Sequence, residues 1–305
     1  MRLAGVDIGS NTSLLLIVEK TETGFEVLAD EIYFTRLAEN MEYSSKVSDS
    51  ALARLEKAFQ DIQKKLKSWD IKEYSIVATS AVRQAENKKN ILDLANQYFL
   101  SPLQIISSQR EAELTFIGSF FGLGQTCFNP LVIDIGGGST EFVDSKKKYS
   151  LNIGTVSLTE RFLSLKAISL SERKNLNEFI LKKLQHLESF LKESHDKIIF
   201  TAGTPTTLAL METKTTDMNK IHGLILQREQ VDFWLSKLSQ LSVEERKKIP
   251  YLPEHRTDVI VAGLSLLNQI LHLSEKTSFL VSVTGVRYGL ILEKFQTQLN
   301  QTIKN

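Results

Sequence analysis

Residues 133–141 read IDIGGGSTE, and a near-copy, VDIGSNTS, stands at residues 6–13. Each begins as an apolar strand, delivers an aspartate, turns on glycine and small hydroxyl residues, and leaves as a second strand. Three consecutive glycines are a large commitment for a chain with 15 glycines in 305 residues. They allow a tight corner whose backbone N–H groups converge with no side chains in the way, a shape that cradles phosphate. At the later corner, Gly136, Gly137 and Gly138 supply that backbone and Ser139 and Thr140 add hydroxyl donors. Asp134 and Glu141 offer the hard oxygen ligands that Mg²⁺ prefers beside phosphates. One such corner read alone is equally a hairpin turn that uses glycine for its backbone angles. The second copy shifts the reading. Asp7, Gly9, Ser10, Asn11 and Thr12 match in kind Asp134, Gly136, Gly138, Ser139 and Thr140, so two corners are expected to surround a chain of phosphates from two sides. Neither carries the Gly-Lys-Ser/Thr of a P-loop, nor the helix that follows dinucleotide-binding glycines.

The pattern around the corners also repeats. From Leu3 to about Arg36, LAGVDIG, SLLLIVEK and FEVLADEIYFTRL predict a three-stranded meander, with turns at Gly9 to Asn11 and at Thr23-Gly24. Leu52, Leu55, Phe59, Ile62 and Leu66 then recur at helical spacing behind Ser48, a natural N-cap. Strand YSIVATSA, helix KKNILDLANQYF, strand LQIIS and helix REAELTFIGSFFGL follow in βαβ alternation. After Gly122-Leu123-Gly124 a second meander starts with PLVIDIGGGSTEFVDSKKKYSLNIG. Beyond it the spacing predicts a long helix over 172–192, a strand over 197–200, and a helix after Gly203 with Thr204 as N-cap and Pro205 first inside. Helices over about 230–241 and 259–273, a strand over 278–283 and a last helix from about Val286 complete the second half. The expected domains are residues 1–120 and 121–305, with the last helix able to pack back on the first.

At this length the chain exceeds the roughly 250–300 residues at which single cores stop growing, and 42% hydrophobic residues suffice for two cores. The 37 basic and 36 acidic residues leave a formal charge of +1, so no global field draws the chain to nucleic acid or membrane, and any anion site is local. The single cysteine, Cys127, excludes an intramolecular disulfide; it is expected as a buried packing residue in a reducing, cytoplasmic compartment. MRLAGVDIGSN makes no signal-peptide core, and Ser265, Asn268, Gln269 and His272 mark 259–273 as a buried helix rather than a membrane span. The five histidines show no metal-ligand spacing, and the lysine runs at 64–65, 146–148 and 247–248 read as solvated faces.

Paired DIGSN and DIGGGSTE corners opening two similar halves resemble the phosphate loops of the actin, sugar-kinase and acetate-kinase superfamily. Further stretches make the resemblance specific: ATSAVRQAEN, ISSQREAEL, TAGTPTTLA, and HRTDVIVAGLSLL with VTGVRYGLI are similar, in order, to the exopolyphosphatase and guanosine pentaphosphate phosphatase family. The resemblance implies an α/β fold of two ribonuclease-H-like, actin-like ATPase domains with a cleft between them. It implies a cytoplasmic enzyme that hydrolyses the terminal phosphoanhydride of inorganic polyphosphate or guanosine pentaphosphate, with Mg²⁺ or another divalent cation, in a family whose members often dimerise. Position by position it makes Glu111 the general base and Arg83 a phosphoryl-binding arginine, places Gly203, Thr204, Arg256 and Arg287 on the same cleft, and gives Asp134, Glu141 and Asp7 to the cation.

Without the resemblance, Glu111 is a helix-dipole partner, Arg83 an exposed arginine, Gly203-Thr204 a capped helix, and Arg256 and Arg287 structural ion-pair members. Ser108 and Arg110 depart from the family pattern, which has glycine and an acidic or amide residue there. His195-Asp196 is not read as a metal-dependent phosphohydrolase site, since longer relatives carry that domain further along; shorter polyphosphate or a nucleotide is the expected substrate. A nucleoside di- or triphosphate hydrolase, a kinase of the same superfamily and a non-catalytic nucleotide clamp stay open.

Overall fold

The structure is a computed structural model that describes residues 1–22, 24–123 and 128–302, with side chains as far as 296. The expectations for Thr23, Gly124 and Cys127 lie outside the described residues. The chain divides into two compact units, Met1–Gly118 with Gly285–Asn305, and Ser119–Thr284. The last helix, counted in the sequence with residues 121–305, thus belongs to the first unit.

In the first unit, strands β1 (Arg2–Ile8), β2 (Ser13–Lys20), β3 (Phe25–Tyr33), β4 (Glu73–Ala78) and β5 (Gln104–Ile105) form a sheet of order β3-β2-β1-β4-β5. β1, β2 and β3 make the antiparallel meander, while β4 and β5 run parallel to β1. The first long helix, α1 (Asp49–Ser68), starts where its cap dictates: the Ser48 side chain accepts the Ala51 N–H, and Leu55, Phe59, Ile62 and Leu66 form the buried face. Helices α2 (Ser80–Gln84), α3 (Lys88–Tyr98) and α4 (Ser108–Ser119) follow, and the C-terminal helix Val286–Thr302 closes the unit. Val77, Ile106, Leu114, Val286 and Leu290 share one buried cluster, each contributing roughly 1.5–3 kcal/mol by leaving water. α2 was not expected; ATSAVRQA reads as the exit of a strand, and its short helix has no apolar periodicity to betray it.

The parallel strands end together. Thr79 N donates to the Ile8 carbonyl at 3.1 Å and Ile106 N to the Ala78 carbonyl at 3.0 Å, so the ends of β1, β4 and β5 stand side by side. Whatever follows those strands is therefore gathered at one edge, where open α/β sheets bind ligands.

The second unit carries β6 (Leu131–Ile135), β7 (Thr140–Val143), β8 (Lys148–Leu151), β9 (Ile198–Thr201), β10 (Ile225–Gln227) and β11 (Ser278–Val281), in the order β10-β11-β9-β6-β7-β8. Its helices include α5 (Thr155–Phe162), α6 (Leu170–Leu184), α7 (Gly203–Thr213), α8 (Arg228–Ser239) and α9 (Ile260–Leu273). The meander followed by parallel strands repeats the order of the first unit. The helix expected over 172–192 is broken: α6 gives way to a 3₁₀ turn at Gln185–Leu187 before a last turn at Glu188–Leu191. The buried positions explain it. Leu176, Ile180 and Leu184 are four apart, but Leu187 and Phe190 follow at intervals of three, the 3₁₀ repeat. β10 and α5 were also not expected. Among the described residues no helix is long and apolar enough to cross a membrane.

Candidate active site

The first corner closes with Gly9 N donating to the Thr12 carbonyl at 2.9 Å, and the second with Gly136 N donating to the Ser139 carbonyl at 3.0 Å. The flanking pairs agree: Asp7 lies opposite Leu14 and Ile8 opposite Ser13, as Asp134 lies opposite Glu141 and Ile135 opposite Thr140. This corrects the sequence match. Ser10, Asn11, Thr12 and Ser13 correspond to Gly137, Gly138, Ser139 and Thr140, one residue away from the pairing made by residue type. Backbone register decides, because a one-residue slip would turn every strand side chain to the other face.

Each corner has two carbonyls tied into its own unit. The Ser10 and Asn11 carbonyls accept from Ala38 N at 2.9 Å and Arg36 N at 3.0 Å; the Gly136 and Gly137 carbonyls accept from Thr155 N and Val156 N, each at 2.9 Å. In a trans peptide the N–H opposes the C=O. Tying these carbonyls into the protein therefore turns the N–H groups of Asn11 and Thr12, and of Gly137 and Gly138, to the opposite side. The second tie depends on α5, whose N-cap residue sits so close that a methyl on Gly154 would lie 2.4 Å from the Gly137 carbonyl carbon. Gly154 and Thr155 thus shape the second corner, a role that the sequence alone does not show.

The corners differ in side chains. Asn11 is 5% exposed, and neither its amide oxygen nor its amide nitrogen has a hydrogen-bond partner, the condition of a group reserved for a ligand. Ser10 is equally enclosed. Thr140, expected as a phosphate donor, instead gives its hydroxyl proton to the Ile153 carbonyl at 2.7 Å and so ties the second hairpin to the segment that follows β8.

Glu111 and Arg83 come together beside the first corner's strand ends. Arg83, on α2, donates through Nη1 to Glu111 Oε2 at 3.0 Å and to the Ile106 carbonyl at 2.9 Å. Among the described residues its Nε and Nη2 take no partner, which leaves the edge of the fork for an anion. Glu111 is 7% exposed, on the first turn of α4, where Glu111 N donates to the Ser107 carbonyl at 2.9 Å. The unusual Arg110 does not disturb it. Its guanidinium turns to Glu293 on the C-terminal helix and to Glu113 on its own helix, and these carboxylates hold it charged. The buried Arg287 forms a bidentate pair with the more exposed Asp30, at 2.7 and 2.8 Å, which Tyr288 joins at 3.0 Å. Burial opposes its charge, but Asp30 and, more weakly, Tyr288 and Asp7 raise its pKa.

A divalent cation fits the second corner better than the first. Residues directly opposite in an antiparallel pair project to the same face, so the hairpin sets the Asp134 and Glu141 carboxylates side by side, an arrangement that like charges resist without a cation. Glu141 is 1% exposed and its Oε1 accepts the Ser150 hydroxyl at 2.9 Å, an outer hydrogen bond of the kind that orients metal ligands. Asp7 has Leu14 opposite it, so its hairpin brings no second carboxylate.

Farther along the second sheet, α7 begins at Gly203, two residues earlier than expected, and Thr204 is not its cap. Ala202 precedes the helix at φ 74° and ψ −164°, and Thr204 turns its hydroxyl toward α9, so that a methyl on Gly263 would lie 2.2 Å from Thr204 Oγ1. Gly203 is required for a different reason. A Cβ there would sit 2.1 Å from Arg256 Cζ, so the guanidinium rests directly on the first peptide of α7. The structure therefore brings Arg256 to Gly203 at the end of β9.

One cluster gathers at the end of β7 opposite to the second corner. Asp144, Glu193 and His195 offer ligand atoms within 4.8 Å of one another, a grouping that histidine spacing alone could not reveal. It is already engaged: Asp144 accepts from Lys146 N and Lys147 N at 2.6 Å each, His195 Nε2 stands 3.3 Å from Asp144, and Lys147 pairs with Glu193. It locks the β7–β8 turn.

Residues 16–298 match the Ppx/GppA phosphatase family. The chain belongs to that family. It is 32% identical over 308 residues to a bifunctional 3-dehydroquinate synthase/phosphatase of Fusobacterium nucleatum, covering 95% of this chain and 46% of that protein, so the chain spans less than half of that relative's length. A solved Ppx/GppA enzyme of Aquifex aeolicus is similar at 27% identity and a TM-score of 0.80, over 96% of this chain and 99% of its own. An exopolyphosphatase of Cytophaga hutchinsonii, 23% identical, shares the fold with a TM-score of 0.90 over 97% and 98% of the two chains. The Ppx/GppA structures carry the actin-like, two-domain α/β fold expected from the paired corners.

Proposed function

We propose that this Ppx/GppA member releases the terminal phosphate of inorganic polyphosphate or guanosine pentaphosphate by attack of water. The observation that carries the proposal is the Arg83–Glu111 pair: a buried carboxylate and a guanidinium with unused donors, set side by side where the parallel strands end. Glu111 would take the proton of the attacking water, and Arg83 would hold a phosphoryl oxygen through its remaining donors. The N–H groups of Asn11 and Thr12, the Asn11 amide and Ser10 would fix the phosphoryl group in line, which is most of what phosphoryl transfer requires. In the second unit, Gly137, Gly138 and Ser139 would bind further phosphate oxygens, with Arg256 over Gly203 as an added cation. Asp134 and Glu141 would hold Mg²⁺, which when bound offsets charge on the leaving phosphate.

The family match, the name of the Cytophaga hutchinsonii structure and the resemblance of the corners support a phosphoanhydride as the substrate class. The test is phosphate release from polyphosphates of several lengths, guanosine pentaphosphate, ATP and ADP, each with and without Mg²⁺. Release confined to ATP or ADP would replace the proposed substrates. Transfer from labelled ATP to a small metabolite, with none to water, would overturn hydrolysis itself.

A further inference from the structure

Arg246 is 1% exposed and is the largest fully buried side chain among the described residues. Burial lowers its pKa to about 10, against a weaker contribution from Asp258 that raises it, and its Nη2 has no hydrogen-bond partner. A guanidinium taken out of water with one donor unmet is costly, and an apolar residue of similar size is often as stable or more so. Stability alone is thus a poor reason for arginine here.

The contacts supply a better one. Arg246 Nε donates to the Leu238 carbonyl at 2.9 Å, in the last turn of α8, and Nη1 donates to the Thr257 carbonyl at 3.1 Å. Thr257 immediately follows Arg256, which sits in the single 3₁₀ turn Glu254–Arg256. Within the turn Arg256 N donates to the Pro253 carbonyl at 2.9 Å and Thr257 Oγ1 to the Glu254 carbonyl at 2.7 Å, and Lys247 pairs with Glu254 at 3.6 Å. The bonds within the turn shape it, and the exposed Lys247–Glu254 pair adds little. Arg246 joins it to α8 through a planar, two-pronged group that a single ammonium cannot copy.

We propose that Arg246 is a positioning residue that holds the Arg256 guanidinium over Gly203 at the start of α7. The inference rests on the reading above in which Arg256 binds phosphate. Arg246 touches no substrate, and its effect runs through the Thr257 peptide to the neighbouring side chain.

A double-mutant cycle on phosphate release tests the linkage. Arg256→Ala is expected to raise KM by roughly ten- to a hundredfold, the range for loss of a charged hydrogen-bond partner. Arg246→Lys, which keeps the charge but not the fork, is expected to raise KM several-fold, chiefly without a fall in kcat. The double variant is expected to show the KM of Arg256→Ala alone. Arg246→Met serves as a second variant, with thermal unfolding of each protein to show that it folds. Equal KM effects of Arg246→Lys with and without Arg256, or a lowered Tm with KM unchanged, would overturn the linkage. An unchanged KM in Arg256→Ala would instead overturn the assignment of Arg256, and the linkage with it.

Discussion

Arg83 Nη1 lies 3.0 Å from Glu111 Oε2 and 2.9 Å from the Ile106 carbonyl, so one nitrogen anchors the arginine to both the carboxylate and the backbone beside it. Glu111→Gln retains an acceptor oxygen for Arg83 and the shape of the side chain, and removes the proposed base. Phosphate release is expected to fall by roughly 10²–10⁴-fold, the usual share of general acid–base catalysis, with little change in Tm. A variant that turns over within a few-fold of the wild type would show that Glu111 is not the base.

Ser150 donates to Glu141 at 2.9 Å and is expected to matter only through the cation. Removing an outer partner of a metal ligand commonly weakens metal affinity by roughly ten- to a hundredfold. Ser150→Ala should therefore shift the Mg²⁺ concentration for half-maximal phosphate release upward by that factor, with the rate at saturating Mg²⁺ largely restored. An unshifted Mg²⁺ titration would remove Glu141 from the ligand set.

Ala202 holds φ 74° and ψ −164°, a backbone region that side chains avoid. Such a residue stores about 1–3 kcal/mol of strain. Ala202→Gly is expected to raise Tm by roughly 2–4 °C, the response to about 1 kcal/mol once glycine's greater chain entropy is set against the relief. Ala202→Val should lower Tm. Calorimetry of the two variants decides; a lower Tm for the glycine variant would mean that the loop carries no strain.

His222 should make stability fall in mild acid. Its Nε2 lies 2.8 Å from the Phe121 carbonyl and its Nδ1 lies 3.2 Å from Val283 N, so Nε2 donates, Nδ1 accepts, and the ring is neutral. Burial lowers its pKa below the ordinary 6.5, more than the Phe121 carbonyl raises it. The unfolded chain then binds a proton before the folded one does. The contribution is complete above about pH 6.5 and is lost as pH falls toward the depressed folded value. Urea midpoints from pH 7.5 to 5 should decline for the wild type, and more steeply than for His222→Asn; parallel curves would exclude the histidine as the cause.

Much of the fold was legible because the informative residues are local. Asp, Gly and alternating apolar residues mark each hairpin, and Ser48 marks the start of α1. The site was legible less evenly. Nothing within TSAVRQA or SQREAEL says that Arg83 and Glu111 touch; only the resemblance singled them out. Matching the corners by hydroxyl type put Asn11 on Ser139, whereas the ladder pairs it with Gly138, because register is a property of two strands and not of one string. Arg246 was hidden in VEERKK, which reads as a solvated charge run. Its burial depends on α8 and on the turn after Pro253, neither of which a charge pattern can place.

The shared closure of the two corners leaves the positions beside them free to differ. Gly9 with Thr12 and Gly136 with Ser139 keep the same hairpin, yet the position opposite the aspartate is Leu14 in one and Glu141 in the other. Separate but identical copies could not differ there, since any change would appear in both. Carried on one chain, each copy inherits its own mutations, and a second carboxylate can be acquired by one hairpin without being imposed on the other.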